Sequence, residues 1–546
     1  MPGGLIQLNA YGSQNQYLNG NPQMTFFKTV YRRYTNFSME TIRINVDGPN
    51  ELSVEQPSRL SCRIDRNGDL MSNLYFVFTL PDIYSGYDTT NTSDRERAVY
   101  HFQWIESIGT NIINTVSVTV GGQNISVLYG EWIRIWHELF SSSNKATFDE
   151  LVGNVPELFA PEYALGNNGL YPNSSLSPTE NIDPEIFTSS NYLRNPYYKP
   201  PSIRGRIVYV PIPFWFSTHS GLALPLIALQ YHEVKVYIEL KRLSEIYTII
   251  ETRPDDIDYG NRVAPNLLKD YHQIQNFMSS IDPSQFRKGE LLNKNKNYQG
   301  WGLDPHFLVN YYFLDEDERK QFASVSHEYL IEQVQRFEFV GIRGNKTLDI
   351  QLNNPVKQLV WYALRDDFYR KNIFDNFTNW ENRLIDVGSL SYIRNIIGEI
   401  RNQYNEFNQI VAIRDIAFEQ FQKNNISNKF NFNYFKRDLL DSATLYFNGV
   451  QRFSTQTSSY FNLLQNYQHG LMTTFPGVYT YSFALEPCKF QPSGVCNMSQ
   501  LKNIQLEIKT LELDPSSDRK VNVYVYAINY NIFRIISGMG GLSFTS

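Results

Sequence analysis

The sequence predicts an all-β chain of two consecutive β-sandwiches, linked by long loops and carrying a few short helices. Three observations carry this. Period-2 alternation of polarity fills most readable segments, as expected of strands with one buried face. Aromatic residues reach 15% and charged ones only 19% of the chain, and with frequent Asn, Ser, Gly and Pro this favours strands and turns over helices. The same features also occur twice in the same order. At 546 residues the chain exceeds one ordinary core, and a duplication supplies two.

Residues 1–24 read as an arm: "GGLIQLNAYG" is extended and "LNGNPQ" is turn chemistry. Next, "TFFKTVYRRY" places Phe27, Tyr31 and Tyr34 at i, i+4 and i+7 beside Phe26 and Val30, with Lys28 and Arg32 on the neighbouring face and Arg33 adjoining. That spacing predicts a short helix with an aromatic face and a cationic flank, capped by Thr25. The first sandwich spans 25–245, with strands "LYFVFTL" (74–80), "TVSVTVGG" (115–122), "RIVYVPI" (206–212) and "EVKVYIEL" (233–240). Residues 246–304 read as a linker. The second sandwich spans 305–535, with "QRFEFVGI" (335–342), "TLDIQL" (347–352), "QLVWYAL" (358–364), "ATLYFNG" (443–449), "NIQLEI" (503–508) and "VNVYVYAINY" (521–530). Residues 536–546 are a tail in which "GMGG" suggests flexibility.

Internal matching supports the duplication. "SRLSCRIDRNGDLMSNLYFVFTL" (58–80) corresponds to "KTLDIQLNNPVKQLVWYAL" (346–364), each a strand, a polar turn and a more apolar strand. "VSVTVGGQ" followed by "GEWIRIWHELF" corresponds to "ATLYFNGVQ" followed by "SSYFNLLQNYQHGL". On one helical face, Trp132, Trp136, Leu139 and Phe140 answer Tyr460, Leu463 or Leu464, Tyr467 and Leu471. Ser220-Gly221 and Ser493-Gly494 precede the last strands of each half. Units of ~200 residues with long crossovers suit a sandwich such as the jelly roll. The insertion 140–204, rich in Pro, Asn, Ser and Tyr, reads as a surface loop. In the insertion 366–437, Ile393, Ile396, Ile397, Ile400, Tyr404, Phe407 and Val411 recur at helical spacing.

A net charge of −6 and a pI near 5.9 do not suit a chain that coats DNA. Bases can be interleaved with Tyr, Phe and Arg, yet no second basic cluster supports "TFFKTVYRRY" in that role, and packing against a neighbouring unit is favoured. Cys62, Cys488 and Cys496 lack disulfide-framework or metal-ligand spacing. The N-terminus has no signal-peptide pattern, and the apolar run "LALPLIAL" is too short to span a bilayer. Asn-x-Ser/Thr sequons at Asn36, Asn91, Asn124, Asn173, Asn345, Asn376, Asn425 and Asn497 carry little weight in an Asn-rich chain. His137-Glu138, His232-Glu233 and His327-Glu328 are not extended to a two-histidine helical metal motif. "DEDER" (315–319) lacks the spaced ligands and glycine of a calcium loop. No nucleophile elbow or phosphate loop is present, so the expectation is no catalytic residue, no cofactor, no metal and no enzymatic activity.

Residues 3–42, "GGLIQLNAYGSQNQYLNGNPQMTFFKTVYRRYTNFSMETI", closely resemble the N-terminal segment of the major capsid proteins of nucleocytoplasmic large DNA viruses, in particular the algal-virus and mimivirus-like branches. "RNGDLM" (66–71) and "PSGVCNMSQLKNIQLEI" (492–508) resemble two further stretches in the expected order, and the match recurs patchily to about residue 535. The resemblance implies a double jelly roll whose chains trimerise into pseudo-hexameric capsomers tiling an icosahedral shell. It implies a virion location, assembly in the host cytoplasm, and partners comprising further copies, minor capsid and penton proteins, and inner membrane proteins, with no direct nucleic-acid contact. The family's N-terminal segment lies toward the inner side of the shell, which makes Phe26, Phe27, Lys28, Tyr31, Arg32 and Arg33 the candidate assembly contacts. Insertion 366–437 departs from the family in its length and helical pattern. Two alternatives stay open: a minor capsid paralogue or assembly scaffold of this fold, and a carbohydrate-binding or glycan-processing β-sandwich.

Overall fold

A computed structural model describes residues 3–10, 12–54, 56–85, 101–141, 145–164, 171–172, 201–250, 262–266, 268–269, 272–278, 301–379, 437–470, 475–511 and 519–544. The helical pattern over 393–411 and the sequons at Asn91, Asn173 and Asn425 lie outside the described residues.

The first unit contains β1 (Phe37–Asn45), β2 (Ser58–Ile64), β3 (Leu70–Leu80), β4 (His101–Trp104), β5 (Ile113–Val120), β6 (Gln123–Tyr129), β7 (Arg206–Ile212), β8 (Leu224–Pro225), β9 (Val234–Leu240), β10 (Tyr247–Ile250), β11 (Arg262–Val263) and β12 (His306–Leu314). The second contains β13 (His327–Ile342), β14 (Asn345–Asp349), β15 (Pro355–Arg365), β16 (Leu440–Phe447), β17 (Val450–Gln451), β18 (Gln456–Thr457), β19 (Val478–Ser482), β20 (Cys496–Asn497), β21 (Ile504–Thr510), β22 (Val521–Ile536) and β23 (Met539–Leu542). In the first, the sheet β1-β12-β3-β7, with β8 on β3, packs on β2-β9-β5-β6. In the second, β13-β22-β15-β19, with β20 on β15, packs on β14-β21-β16-β17. The two orders are the same strand for strand, so the chain is a double jelly roll, as the repeated patterns predict. Strands β4, β10 and β11 form a small extra sheet on the first unit.

Three expectations are corrected. The segment His306–Leu314, placed at the start of the second unit, is β12 of the first: it pairs with β1 from Phe37↔Leu314 to Asn45↔His306 and with β3 on its other side. Only the ladder fixes which sheet it joins. The first sandwich therefore closes through a strand more than 200 residues from its partner, and the helix Glu316–Ser324 makes the true connection. Within 246–304, Ile274 and Phe277 are buried in the first core, and Trp301 donates its indole N–H to the Thr79 carbonyl at 2.8 Å.

The tail is also ordered by pairing. Ser537 (φ 51°) and Gly538 (φ 81°) take the left-handed conformations of a tight hairpin, and β23 returns along β22. A Cβ on Gly540 would stand 2.7 Å from Leu229 Cδ2 and 2.9 Å from Phe533 Cζ. This glycine permits close approach rather than flexibility.

The core is built by alternation. Leu359, Trp361, Ala363, Val523, Val525 and Ala527 point into the second sandwich, whereas Val360, Tyr362, Leu364, Tyr524, Tyr526 and Ile528 point to the opposite face and join the apolar mass of the first. β15 and β22 are thus buried on both faces, which explains their near-continuous apolar runs.

Candidate functional site

The N-terminal segment departs from the predicted pattern. Residues Gly3–Asn9 and Gln16–Asn19 are helical rather than extended, while 25–34 forms only a turn at Phe26–Phe27 followed by open chain. Thr25 does use its hydroxyl, accepting the Phe27 N–H at 3.2 Å, but no helix follows. A ten-residue helix rich in β-branched and aromatic residues is marginal without a surface for its apolar face, and none of 25–34 is covered within this chain. Phe26 is 89%, Phe27 97% and Tyr31 87% exposed. Among the described residues, no ion pair reaches Lys28, Arg32 or Arg33. Exposed apolar side chains continue through Leu5, Ile6, Leu8, Tyr17 and Leu18 to Phe37 and Met39.

The second feature is the contact between the sandwiches. Helix Gly130–Phe140 inserts between them: Trp132 stacks on Tyr526 with centroids 4.8 Å apart, and Glu131 meets Arg336 at 3.3 Å. The Arg336 guanidinium lies over the rings of Tyr129 (4.5 Å) and Tyr524 (4.8 Å). Burial alone would lower its pKa, but the carboxylates of Glu131 and Glu338 hold it above its ordinary value. Burial, reinforced by Glu131, pushes the Tyr526 hydroxyl well up, so it donates neutrally to Glu131 at 3.2 Å.

Deeper in, Arg134 meets Asp149 at 2.5 Å, Glu138 at 2.7 Å and Asp375 of the second unit at 3.7 Å. Ser107 donates to Asp375 at 2.7 Å. A buried cation held among several acids fixes orientation more than it adds stability. The Trp-bearing helical face was legible in the sequence. The partners of this helix, Tyr526 on Trp132 and Arg336 on Glu131, were missed, although the alternating tyrosines of "VNVYVYAINY" signal a strand with two buried faces.

The candidate chemical groups do not converge. His137 Nε2 donates to Pro211 O (3.4 Å) and His327 Nε2 to Phe322 O (2.7 Å), and His232 Nδ1 lies 3.0 Å from Gly540 O and 3.2 Å from Gly540 N. Among the described residues, no group of three metal-binding side chains occurs. Burial pushes the Cys62 thiol up to about 12 and Cys488 to about 11, so both stay protonated. The "DEDER" run starts the helix Glu316–Ser324: Asp315 accepts the Glu316 N–H at 2.8 Å, acids fill the first turn, and Arg319 reaches back to buried Asp69 at 2.7 Å. No described helix is long and apolar enough to cross a membrane.

Residues 25–315 match the family described as major capsid protein N-terminus, and residues 318–541 match the large eukaryotic DNA virus major capsid protein. The first match ends just before the helix that follows β12, and the second begins within its first turn. The chain is 32% identical over 583 aligned residues to a major capsid protein of Phaeocystis pouchetii virus, and 30% over 573 to that of Paramecium bursaria Chlorella virus 1, with full coverage of both chains in each case. Among solved structures it resembles VP54 of PBCV-1 with a TM-score of 0.59 at 25% identity, covering 96% of this chain and 100% of that one. It resembles the Faustovirus major capsid protein in fold, with a TM-score of 0.58 at 11% identity, covering 97% and 96%.

Proposed function

The chain belongs to the major capsid protein family of large eukaryotic DNA viruses, and we propose that it builds the shell by closed self-association, three copies forming one capsomer. The observation that carries this reading is the strand-for-strand equivalence of its two sandwiches. Three such chains present six nearly equivalent edges, so a threefold assembly can tile a hexagonal lattice. The shell function needs no reactive group, in keeping with the scattered histidines and protonated thiols, and the chain is read as a non-enzyme. Minor capsid and penton proteins are the expected neighbours at lattice edges and vertices. Inner membrane proteins lie beneath the shell, and assembly takes place in the host cytoplasm.

Phe26, Phe27, Lys28, Tyr31, Arg32 and Arg33 are proposed as contacts to neighbouring subunits. Their exposure supports this, because apolar rings and unpaired cations left open in one chain gain most from a second surface. The test is sedimentation and electron microscopy of the purified protein. Wild type is expected as threefold particles of hexagonal outline, at roughly three times the 63.6 kDa chain, and a well-behaved monomer overturns the reading. Arg32→Ala with Arg33→Ala should impair capsomer or shell assembly with an unchanged thermal melt. Normal assembly removes the role given to these two residues.

A further inference from the structure

Beside the last turn of helix Gly130–Phe140 the two sandwiches leave an open groove of about 990 Å³ between them. Trp136 and Phe140 of the helix line it together with Trp215 of the first unit and Phe490 of the second. From the second sheet it receives Glu332 on β13, Lys357 on β15 and Tyr530 on β22, the last paired directly with Glu332 across the ladder. Boundaries between folded units are favoured places for small-molecule sites.

The polar groups are built in. Lys357 is 3% exposed; Glu332 holds its ammonium, which also donates to the Pro487 carbonyl at 3.0 Å. Among the described residues its third N–H has no acceptor. Burial, reinforced by Glu332, raises the Tyr530 hydroxyl, which stays a neutral donor and acceptor. Each carboxylate and ammonium lining the groove has an opposite partner: Glu332 has Lys357, Glu328 has Arg534 at 2.6 Å, and Lys489 has Glu486 at 2.7 Å. Trp136 and Phe140 are half-buried and Phe490 is 52% exposed, so aromatic surface is left uncovered beside these pairs.

Balanced charge and open rings select the ligand. An ionic ligand finds every ion already paired. An acyl chain would seal the Lys357–Glu332 pair from water without replacing its hydrogen bonds, which is costly. A pyranose ring satisfies both demands, offering an apolar face to the aromatic side chains and a rim of hydroxyls to Lys357, Glu332 and Tyr530.

We propose that this groove binds an uncharged oligosaccharide, a role separate from shell building and independent of it. The site holds the sugar without cutting it. Glu328 and Glu332 stand four residues apart on one strand, about 13 Å, beyond the roughly 5–9.5 Å that separates the paired carboxylates of glycosidases.

The experiment is calorimetric titration of the purified full chain with cellohexaose, laminarihexaose and chitohexaose as separate probes, and with dodecanoate as the acyl probe. At least one hexaose is expected to bind and to be recovered uncleaved, and dodecanoate is expected not to bind. Glu332→Gln should weaken the sugar about tenfold and Trp136→Ala should abolish binding, both with a retained melt. Should Trp136→Ala lose its thermal transition, the exposed ring of Phe490 takes its place as Phe490→Ala, with a weakening of similar size to that of Glu332→Gln. Failure of all three hexaoses to bind, or binding of dodecanoate alone, overturns the proposal. Affinity unchanged in both the Glu332 and the aromatic variant places the sugar elsewhere and overturns this site.

Discussion

At the residue scale, His137 shows how burial sets pH dependence. Its Nδ1 is buried with no hydrogen-bond partner among the described residues, and its ring stacks on Phe148 with centroids 4.1 Å apart. Burial, with Arg134 nearby and only partly offset by the Pro211 carbonyl, lowers its pKa from 6.5 to about 4. The folded state therefore resists a proton that the unfolded chain accepts. The stability contributed by the neutral form is full above pH 6.5 and falls as the pH drops toward 4, by up to about 1.4 kcal/mol per pH unit. Urea melts of His137→Gln across pH 4–7 should show a flatter acid slope than wild type. An unchanged slope assigns the acid sensitivity elsewhere, His101 being the next group lowered by burial.

At the element scale, helix Gly130–Phe140 and the strands β15 and β22 act together. Burial of both strand faces fuses two sandwiches that could otherwise unfold separately. Trp132→Ala removes the ring stacked on Tyr526, and by the usual cost of emptying a buried aromatic site it should destabilise the protein by about 3–5 kcal/mol. Because the loss falls between the units, calorimetry should resolve two transitions where wild type has one. Trp361→Ala, which empties the second core instead, should lower the stability of that unit by a similar amount. A single sharp transition in Trp132→Ala means that the remaining contacts around Arg134 and Arg336 suffice for cooperativity.

At the scale of the whole molecule, the chain is finished in its cores and unfinished at its edges. No described residue from Gly3 to Asn36 is buried, so deleting residues 1–33 should leave the thermal midpoint within about 2 °C of wild type while abolishing shell assembly. A large drop in the midpoint instead makes the arm part of the monomer fold.

The sequence by itself determined many of the central strands, the duplication and the two facial helices, because alternation and helical spacing are local patterns that a buried face imposes directly. It also identified the N-terminal segment as a family feature, but it misread Phe26–Tyr34 as a formed helix, since spacing records an amphipathic face and not whether a partner is present to cover it. Only the tertiary structure decided that His306–Leu314 closes the first sandwich, that Gly540 permits close packing, and that Tyr526 and Arg336 receive Trp132 and Glu131. Those outcomes depend on pairing across hundreds of residues, where alternation gives a strand its two faces but leaves its neighbours unspecified.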